Sequence, residues 1–272
     1  MKQRVLRRLT AALIAACVIF ACVVLASSGG RFPQTGKTVK KDSKLKVDAS
    51  HTDEGYFMAA TTSTKKKKYK LRVVKGDTTL TYDLTSGDDL KVFPLQLGDG
   101  TYKVSLYENV SGKSYSQAGA VSLKVSLKDP DSPFLYPNQY VSYTADSPAV
   151  KAANELCRDK SSAKQIYDAV CGYMKTSLAY DFVKAATVKA GVLPDVDGCF
   201  EKRMGICQDL SAIMVCMLRS QGVPAKLMIG YADKFYHAWV VAIVDGEEQF
   251  FDPTAQLGGI GKIKDYTVER FY

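Results

Sequence analysis

The chain has 272 residues, enough for one large or two small domains. Its content of 46% hydrophobic and 24% charged residues is ordinary for a globular protein and allows a substantial core. The net charge of +9 is modestly basic, but no basic stretch is interleaved with aromatic residues, so we expect no nucleic-acid partner.

Residues 1–28 have the pattern of an export segment. Lys2, Arg4, Arg7 and Arg8 precede an apolar run over residues 9–26. This pattern is typical of a signal peptide, and the run is also long enough to be a marginal membrane anchor. Its segment Ile-Ala-Ala-Cys, which ends at Cys17, resembles a bacterial lipoprotein box. All three alternatives predict that the rest of the protein is secreted or held at a membrane outside the cytoplasm.

Two regions of different character follow. Residues 29–50 are rich in Lys, Ser, Thr and Gly, which predicts a flexible linker. Residues 51–130 are predicted to form a small all-β, sandwich-like domain, because short strand-like runs alternate with turns that contain glycine. These runs cover residues 69–74, 78–84, 90–97, 101–107 and 120–127. We interpret this domain as a spacer or binding module.

Four consecutive lysines, Lys65 to Lys68, precede one of these runs. They could contact an anionic cell-wall polymer or lipid headgroups. The alternative is a solvated edge that discourages strand pairing.

Residues 131–272 are predicted to form a second domain, and its central helix begins at Cys207. The i, i+3, i+4, i+7 spacing of apolar residues predicts one buried helix face, formed by Leu210, Ile213, Met214, Met217 and Leu218. Gly222 and Pro224 end this helix. Free N–H groups and the helix dipole in the first turn favour a thiolate at Cys207, which Asp209 in the same turn would slightly oppose.

Three strand-like runs follow this helix, at residues 226–231, 238–244 and 248–251. His237 opens the second run, Asp252 ends the third, and a hairpin turn over residues 244–247 joins the two. An antiparallel pair would therefore place the two side chains close together. A cysteine nucleophile needs a base, and the base needs a carboxylate that fixes its tautomer, so we interpret Cys207, His237 and Asp252 as a catalytic triad. The chain has only one other histidine, His51.

Three motifs carry a family resemblance: Gly-Ile-Cys-Gln-Asp at 205–209, Tyr-His-Ala-Trp-Val at 236–240 and Phe-Phe-Asp-Pro-Thr at 250–254. They resemble the core motifs of the transglutaminase-like superfamily over roughly residues 150–255, with Ala-Tyr-Asp at 179–181 upstream. The resemblance implies a papain-like α+β fold in which helices pack on an antiparallel sheet. It also implies Cys207 as nucleophile, His237 as base and Asp252 as the residue that orients it. It does not fix the reaction, because the superfamily includes cross-linkers, hydrolases, amidases and inactive members.

Two aromatic residues are further candidates for oxyanion or substrate contacts. Tyr180 lies in a region that is near the active site in this family, but it is equally interpreted as a packing residue. Trp239, the only tryptophan, follows His237 by two positions and so shares its strand face. It would shield the pair from water or fill the core.

The remaining cysteines restrict the chemistry. Five follow the export segment: Cys157, Cys171, Cys199, Cys207 and Cys216. An odd number leaves one thiol free if the others pair, and Cys207 is the natural one. Two of them, Cys171 and Cys216, fall in helical patterns as small buried residues. No Cys-x-x-Cys pair occurs and histidines are scarce, so we expect no zinc site and no cofactor.

These observations predict an exported acyl-transfer enzyme that acts on amide or peptide bonds through a thioester. The segments before Cys207 and before His237 are polar and mixed, whereas an apolar, aromatic-walled channel would favour an amine acceptor. Hydrolysis of a protein or peptide is therefore favoured over cross-linking. The alternatives are a protein-glutamine transglutaminase and a non-catalytic surface module that retains the fold.

Overall fold

The computed structural model describes residues 31–272, so the predicted export segment, with Cys17 and Cys22, lies outside the described residues. The fold is α+β, as predicted, with helices and antiparallel sheets. Within the described range, no helix is both long and apolar enough to cross a membrane.

The N-terminal half contains two four-stranded antiparallel sheets. Their strand orders are β1-β2-β3-β6 and β5-β4-β7-β8. The strands are β1 (Val39–Asp42), β2 (Leu45–Asp48), β3 (Tyr56–Thr61), β4 (Tyr69–Lys75), β5 (Thr78–Leu84), β6 (Gly87–Pro94), β7 (Gly100–Ser111) and β8 (Ser114–Val125). In β4 and β5 alternate residues such as Leu71, Val73, Leu80 and Tyr82 are buried in the core, so the sheet that contains these strands has a dry and a wet face.

The segment predicted as a flexible linker contains two of these strands, and this part of the prediction is wrong. Leu45 and Val47 are 0% exposed, and β2 pairs with both β1 and β3. The carboxylate of Asp48 also accepts the N–H groups of Gly36 and Ser50. The prediction failed because the segment is polar overall and has only two large apolar residues within the four-residue run Leu-Lys-Val-Asp. Their side chains lie on the same face of β2, where both are buried in the core.

The four lysines at 65–68 are exposed. Lys67 and Lys44 both form an ion pair with Glu108, and mainly the Lys44 contact holds the pKa of that carboxyl at about 2. Lys67 therefore has an anionic partner within the protein.

The C-terminal half places helices against a third sheet, of order β13-β12-β11-β14. The helices are α1 (Pro148–Leu156), α2 (Ala163–Ser177), α3 (Phe182–Thr187), α4 (Val196–Glu201), α5 (Cys207–Ser220) and α6 (Pro253–Gln256). The strands are β9 (Ala179–Tyr180), β10 (Met204–Gly205), β11 (Ala225–Ala232), β12 (Phe235–Val244), β13 (Glu247–Phe251) and β14 (Tyr266–Phe271). The expected hairpin turn is present, and Asp245 and Gly246 have φ of 54° and 83°, as a type I′ turn requires.

Helix α5 lies at the centre of this half. Every residue from Asp209 to Ser220 is buried, although the apolar spacing predicted a single buried face. Helices α1, α2 and α4 cover the sides of α5 that do not face β11 and β12. Because the helix is enclosed on all sides, the position of Cys207 at its start is fixed by packing as well as by local geometry.

A buried arginine near the end of α5 joins it to more distant parts of the chain. Arg219 donates hydrogen bonds to the carbonyl oxygens of Ala225, Tyr136 and Tyr272. Burial lowers the pKa of its guanidinium to about 10. These contacts hold the end of β14 and the chain around Tyr136 against α5.

Candidate active site

Cys207 is the first residue of α5 and is half-buried. The parallel pair β9–β10 leads directly into it. A side chain at Gly205 would place its Cβ 2.8 Å from the Cβ of Asp209, so only glycine lets the chain turn into the helix this closely. The first N–H groups of α5 have no partner within the helix and are free to face a ligand at the Sγ atom.

Asp209 lies two residues after Cys207 and is fully buried. Its carboxylate accepts the N–H groups of Ile206 and Asp195 at 3.0 and 3.1 Å, and Lys184 Nζ lies 2.7 Å from Oδ2. The expected opposition between Asp209 and a thiolate is therefore offset by a lysine that the sequence did not indicate. This cluster fixes the start of α5.

The sheet register brings His237 and Asp252 to the same face. Val240 pairs with Phe251, so the next pair along the two strands is Trp239 and Asp252. His237 follows two residues further on the same face of β12, diagonally opposite the carboxylate. His237 lies inside β12, which begins at Phe235 rather than at His237 as predicted.

Asp252 accepts four hydrogen bonds. Its Oδ2 lies 2.8 Å from His237 Nε2 and accepts the hydroxyl of Tyr266 at 2.9 Å. Its Oδ1 accepts the N–H groups of Thr254 and Ala255, because Asp252 is also the N-cap of α6. The carboxylate is thus held in one orientation, with the side chain buried.

The imidazole of His237 is only 4% exposed. Burial by itself disfavours its charged form, but hydrogen bonds with Asp252 and with Cys207, together with their charges, raise the pKa of His237 to about 9. Because Nε2 faces Asp252, Nδ1 is the nitrogen left for the Cys207 contact. The His237 contact correspondingly lowers the pKa of Asp252 despite its burial.

Aromatic rings cover the His237–Asp252 pair. The Trp239 ring is stacked 6.4 Å from His237, and Tyr266 lies 5.0 Å from Trp239 and 4.9 Å from Phe250. Trp239 is 2% exposed, which suits a shield over the pair or a core residue better than a direct contact to substrate. Tyr266 was not predicted, because it lies 14 residues beyond Asp252 and reaches it only when β14 pairs with β11.

Tyr180 lies beside the site and is half-buried. Burial raises its pKa, and the nearby charges of Cys207 and Asp252 raise it further. A Cβ at Gly259 would lie 2.4 Å from its ring, so the loop after α6 packs directly on Tyr180. The Tyr180 ring therefore packs against this loop, beside Cys207, and its predicted role as an oxyanion or substrate contact stays a prediction.

The five cysteines of the described range differ in solvent exposure. All five in the described range are free thiols, so the disulfide alternative is not realised there. Cys157, Cys171, Cys199 and Cys216 are buried, and burial raises the pKa of each, whereas Cys207 is half-buried. Across residues 31–272, no group of three or more His, Cys, Asp and Glu could hold a metal ion. His51 lies in the other half, beside Glu54 and stacked on Tyr56.

A cysteine at a helix start, a histidine in contact with it and a carboxylate behind that histidine define a papain-like arrangement on an α+β fold. The family comparison gives the same class. Residues 150–253 match the model of the transglutaminase-like superfamily.

Comparison with solved structures finds distant likenesses. A candidate cysteine protease from Cytophaga hutchinsonii is 16% identical, with a TM-score of 0.41, over 74% of this chain and 79% of that one. The periplasmic domain of TgpA from Pseudomonas aeruginosa is 15% identical, with a TM-score of 0.37, over 81% and 96%. Red sea bream transglutaminase is 14% identical, with a TM-score of 0.29, over 78% and 46%. The comparison with curated proteins found no match.

Proposed function

We propose that this protein is a cysteine-dependent acyl-transfer enzyme that hydrolyses amide or peptide bonds. The observation that carries the proposal is the His237–Asp252 hydrogen bond between two buried side chains, beside a half-buried cysteine at a helix start whose thiol affects the pKa of His237. A purely structural role does not require a thiol, an imidazole and a carboxylate side by side at the start of a helix, whereas nucleophilic catalysis does.

The reaction proceeds in two halves. Cys207 Sγ, as the thiolate, attacks the carbonyl carbon of the substrate, and His237 Nδ1–H donates its proton to the leaving amine as the C–N bond breaks. Neutral His237 then takes a proton from water, which attacks the thioester, releases the acid and regenerates the Cys207 thiolate beside protonated His237. Asp252 keeps the imidazole in the orientation that both transfers need.

The oxyanion forms beside the start of α5. The backbone N–H of Cys207 is the donor that the helix start supplies. Tyr180 is a second candidate, since its ring lies close enough for the charge of Cys207 to affect its pKa. Trp239 does not contact the substrate; its ring stacks beside His237 and keeps water from the His237–Asp252 pair.

Hydrolysis is favoured over transfer to an amine by the exposure of the chain around Cys207. Residues 201–204, before the nucleophile, and residues 233–236, before His237, are exposed. Water can reach the thioester past these exposed segments, whereas an enzyme that excludes water must enclose the thioester in buried side chains. Exposed apolar side chains near the site, among them Phe182, Met204 and Phe235, suit a protein or peptide substrate.

The proposal also includes a location. The basic flank and apolar run of residues 1–28 support export, with the enzyme secreted or tethered to a membrane and its substrate outside the cytoplasm. Anionic wall polymer remains a proposed contact for the exposed lysines at 65–68.

The test is substrate profiling with an unbiased peptide library, using wild type, Cys207→Ala and Cys157→Ala. Cys157 is a buried thiol outside the site, so its variant controls for the loss of any cysteine. We expect Cys207→Ala to abolish product formation and Cys157→Ala to retain it. Full turnover by Cys207→Ala would exclude Cys207 as nucleophile.

The same assay separates hydrolysis from transfer when a labelled primary amine is added in excess. We expect the free acid to form faster than the amine adduct. Cys207-dependent incorporation of the amine that outpaces acid release would make this protein a transferase. If no substrate is found and Cys207 resists alkylation near pH 6, the non-catalytic alternative gains support.

A further inference from the structure

A cleft lies between the two halves of the molecule, and its lining does not include Cys207. Its volume is about 660 Å³. One wall is the start of β5, residues 78–81, and the opposite wall is the end of β14 with Tyr272. Gln96, Leu97 and Tyr140 complete the lining. Both β5 and β14 are edge strands of their sheets, so the cleft is bounded by two strand edges.

The backbone of β5 has free hydrogen-bonding groups along this cleft. At Asp83, the outward N–H and C=O are both satisfied by the side-chain amide of Gln139, at 3.0 and 2.9 Å. Outward-facing groups recur every second residue along an edge strand. The N–H and C=O groups of Thr81 and Thr79 therefore face the cleft, and the described part of the chain supplies them with no partner there.

The contact at Asp83 shows what chemistry this edge accepts. A primary amide offers one acceptor and one donor in a plane, as a peptide bond does. Gln139 thus takes the place of a peptide group at the first position of the edge. The next two positions, Thr81 and Thr79, present the same pair of groups at the repeat of a β-strand, about 7 Å per two residues.

The opposite wall presents backbone as well. Tyr272 exchanges both its backbone hydrogen bonds with Leu227 of β11, so the adjacent residue, Phe271, faces the other way, towards the cleft. The carbonyl of Phe271 is bound there by the side-chain amide of Gln96. Tyr140 stacks on Tyr272 with ring centroids 3.7 Å apart and forms a flat side to the cleft.

We propose that this cleft binds an extended segment of a separate, unfolded polypeptide, which pairs with β5 as an added strand. The charged lining residues are one acid and one base, Glu269 and Arg270, so the wall has no net charge that would select a polyanion. Because β14 bounds the far side of the cleft, the edge of a folded sheet from a second copy would meet that wall, whereas a single extended chain has no sheet behind it. Main-chain pairing of this kind supplies affinity with little dependence on sequence.

The cleft is connected to the candidate active site through β14. That strand ends at the cleft with Phe271 and begins with Tyr266, whose hydroxyl donates to Asp252. Six strand residues span about 20 Å, so a bound polypeptide would lie within that distance of the site. Binding in the cleft does not itself require catalysis, and the proposal stands or falls separately from the proposed reaction.

The probe is reduced and carboxamidomethylated ribonuclease A, an unfolded and basic polypeptide that this basic chain does not attract by charge. Binding is measured by fluorescence anisotropy to the full chain carrying Cys207→Ala, so that turnover does not remove the probe. Thr81→Pro deletes the outward N–H and blocks the edge. Thr81→Val is the matched control, because it retains the backbone and the branched shape of an exposed side chain.

We expect Thr81→Pro to weaken binding at least tenfold and Thr81→Val to change it by less than twofold. Hydrogen exchange gives a second measurement that needs no variant, and the amides of Thr79 and Thr81 should exchange more slowly with the probe bound. No binding to the unaltered edge, equal binding by Thr81→Pro, or unchanged exchange at these amides would overturn the proposal. So would a concentration-dependent dimer that Thr81→Pro abolishes, since the occupant would then be a second copy.

Discussion

Two helices in the C-terminal half each have a buried aspartate at their start, but the two carboxylates pair with different side chains. At the start of α5, the buried carboxylate of Asp209 caps the helix and pairs with Lys184. At the start of α6, the buried carboxylate of Asp252 caps the helix and pairs with His237. The cap is common to both, but the first partner stays charged over the whole physiological range, whereas the second can gain or lose its proton. The partner decides which aspartate serves the structure and which serves chemistry.

The largest expected effect comes from separating the two roles of Asp252. Asparagine is as good an N-cap as aspartate, so Asp252→Asn should fold normally. It can no longer stabilise the imidazolium or fix its tautomer, so activity should fall on the order of 10²–10⁴-fold. Peptide turnover and a urea unfolding curve for the same sample measure the two roles. A variant that loses activity only in proportion to its stability would indicate that Asp252 acts as a cap alone.

At the other helix start, the expected loss is one of stability. Lys184→Met removes the cation and leaves the buried carboxylate of Asp209 without a counter-charge, which should cost about 3 kcal/mol of unfolding free energy. Urea unfolding measures it, and Lys164→Met, which removes an exposed i,i+4 pair on α2, is the control, with an expected cost below about 1 kcal/mol. Equal costs for the two lysines would show that Lys184 has no special part in fixing α5.

The His237–Asp252 and Lys184–Asp209 pairs should differ in how their stabilising effect changes with pH. His237 has a folded-state pKa of about 9, above its unfolded value near 6.5, so its stabilising contribution is complete below about pH 6.5 and is lost as the pH rises through 9. Asp252 has a lowered pKa, so its contribution is lost towards acid pH. The difference in unfolding free energy between wild type and His237→Gln should therefore be largest between about pH 4 and 6.5.

The corresponding difference for Lys184→Met should stay constant between pH 6 and 9, because pairing with Asp209 raises the pKa of Lys184 despite partial burial. Denaturation of both variants across this range tests the contrast directly. A difference for His237→Gln that does not change with pH would mean that the pKa of His237 is not raised in the folded state.

The smallest expected effect concerns the outer partner of Asp252. Tyr266→Phe deletes one hydrogen bond to the carboxylate but keeps the ring that covers His237, so activity should fall about tenfold with little loss of stability. Tyr236→Phe, at an exposed residue beside His237, is the control and should remain within twofold. A fall for Tyr266→Phe as large as that for Asp252→Asn would place Tyr266 among the reacting groups rather than behind them.

Features that depend on short-range order could be predicted from local sequence patterns. The apolar spacing after Cys207 predicted α5, and the Asp-Gly turn predicted the β12–β13 hairpin, whose register alone brings His237 and Asp252 to one face. These are local patterns, because a helix or hairpin positions residues by their separation along the chain. The proposed triad was predictable for that reason.

The distant residues that complete the site, and the folding of the segment before β3, depend on tertiary contacts that no local pattern predicts. Lys184 reaches Asp209 from α3, and Tyr266 reaches Asp252 through the pairing of β14 with β11. The strands β1 and β2 were not predicted, because they depend on the pairing of β2 with β3 and on the burial of Leu45 and Val47. In each case the deciding contact joins residues whose separation carries no periodic signal, so it depends on which edges and faces meet when the whole chain packs.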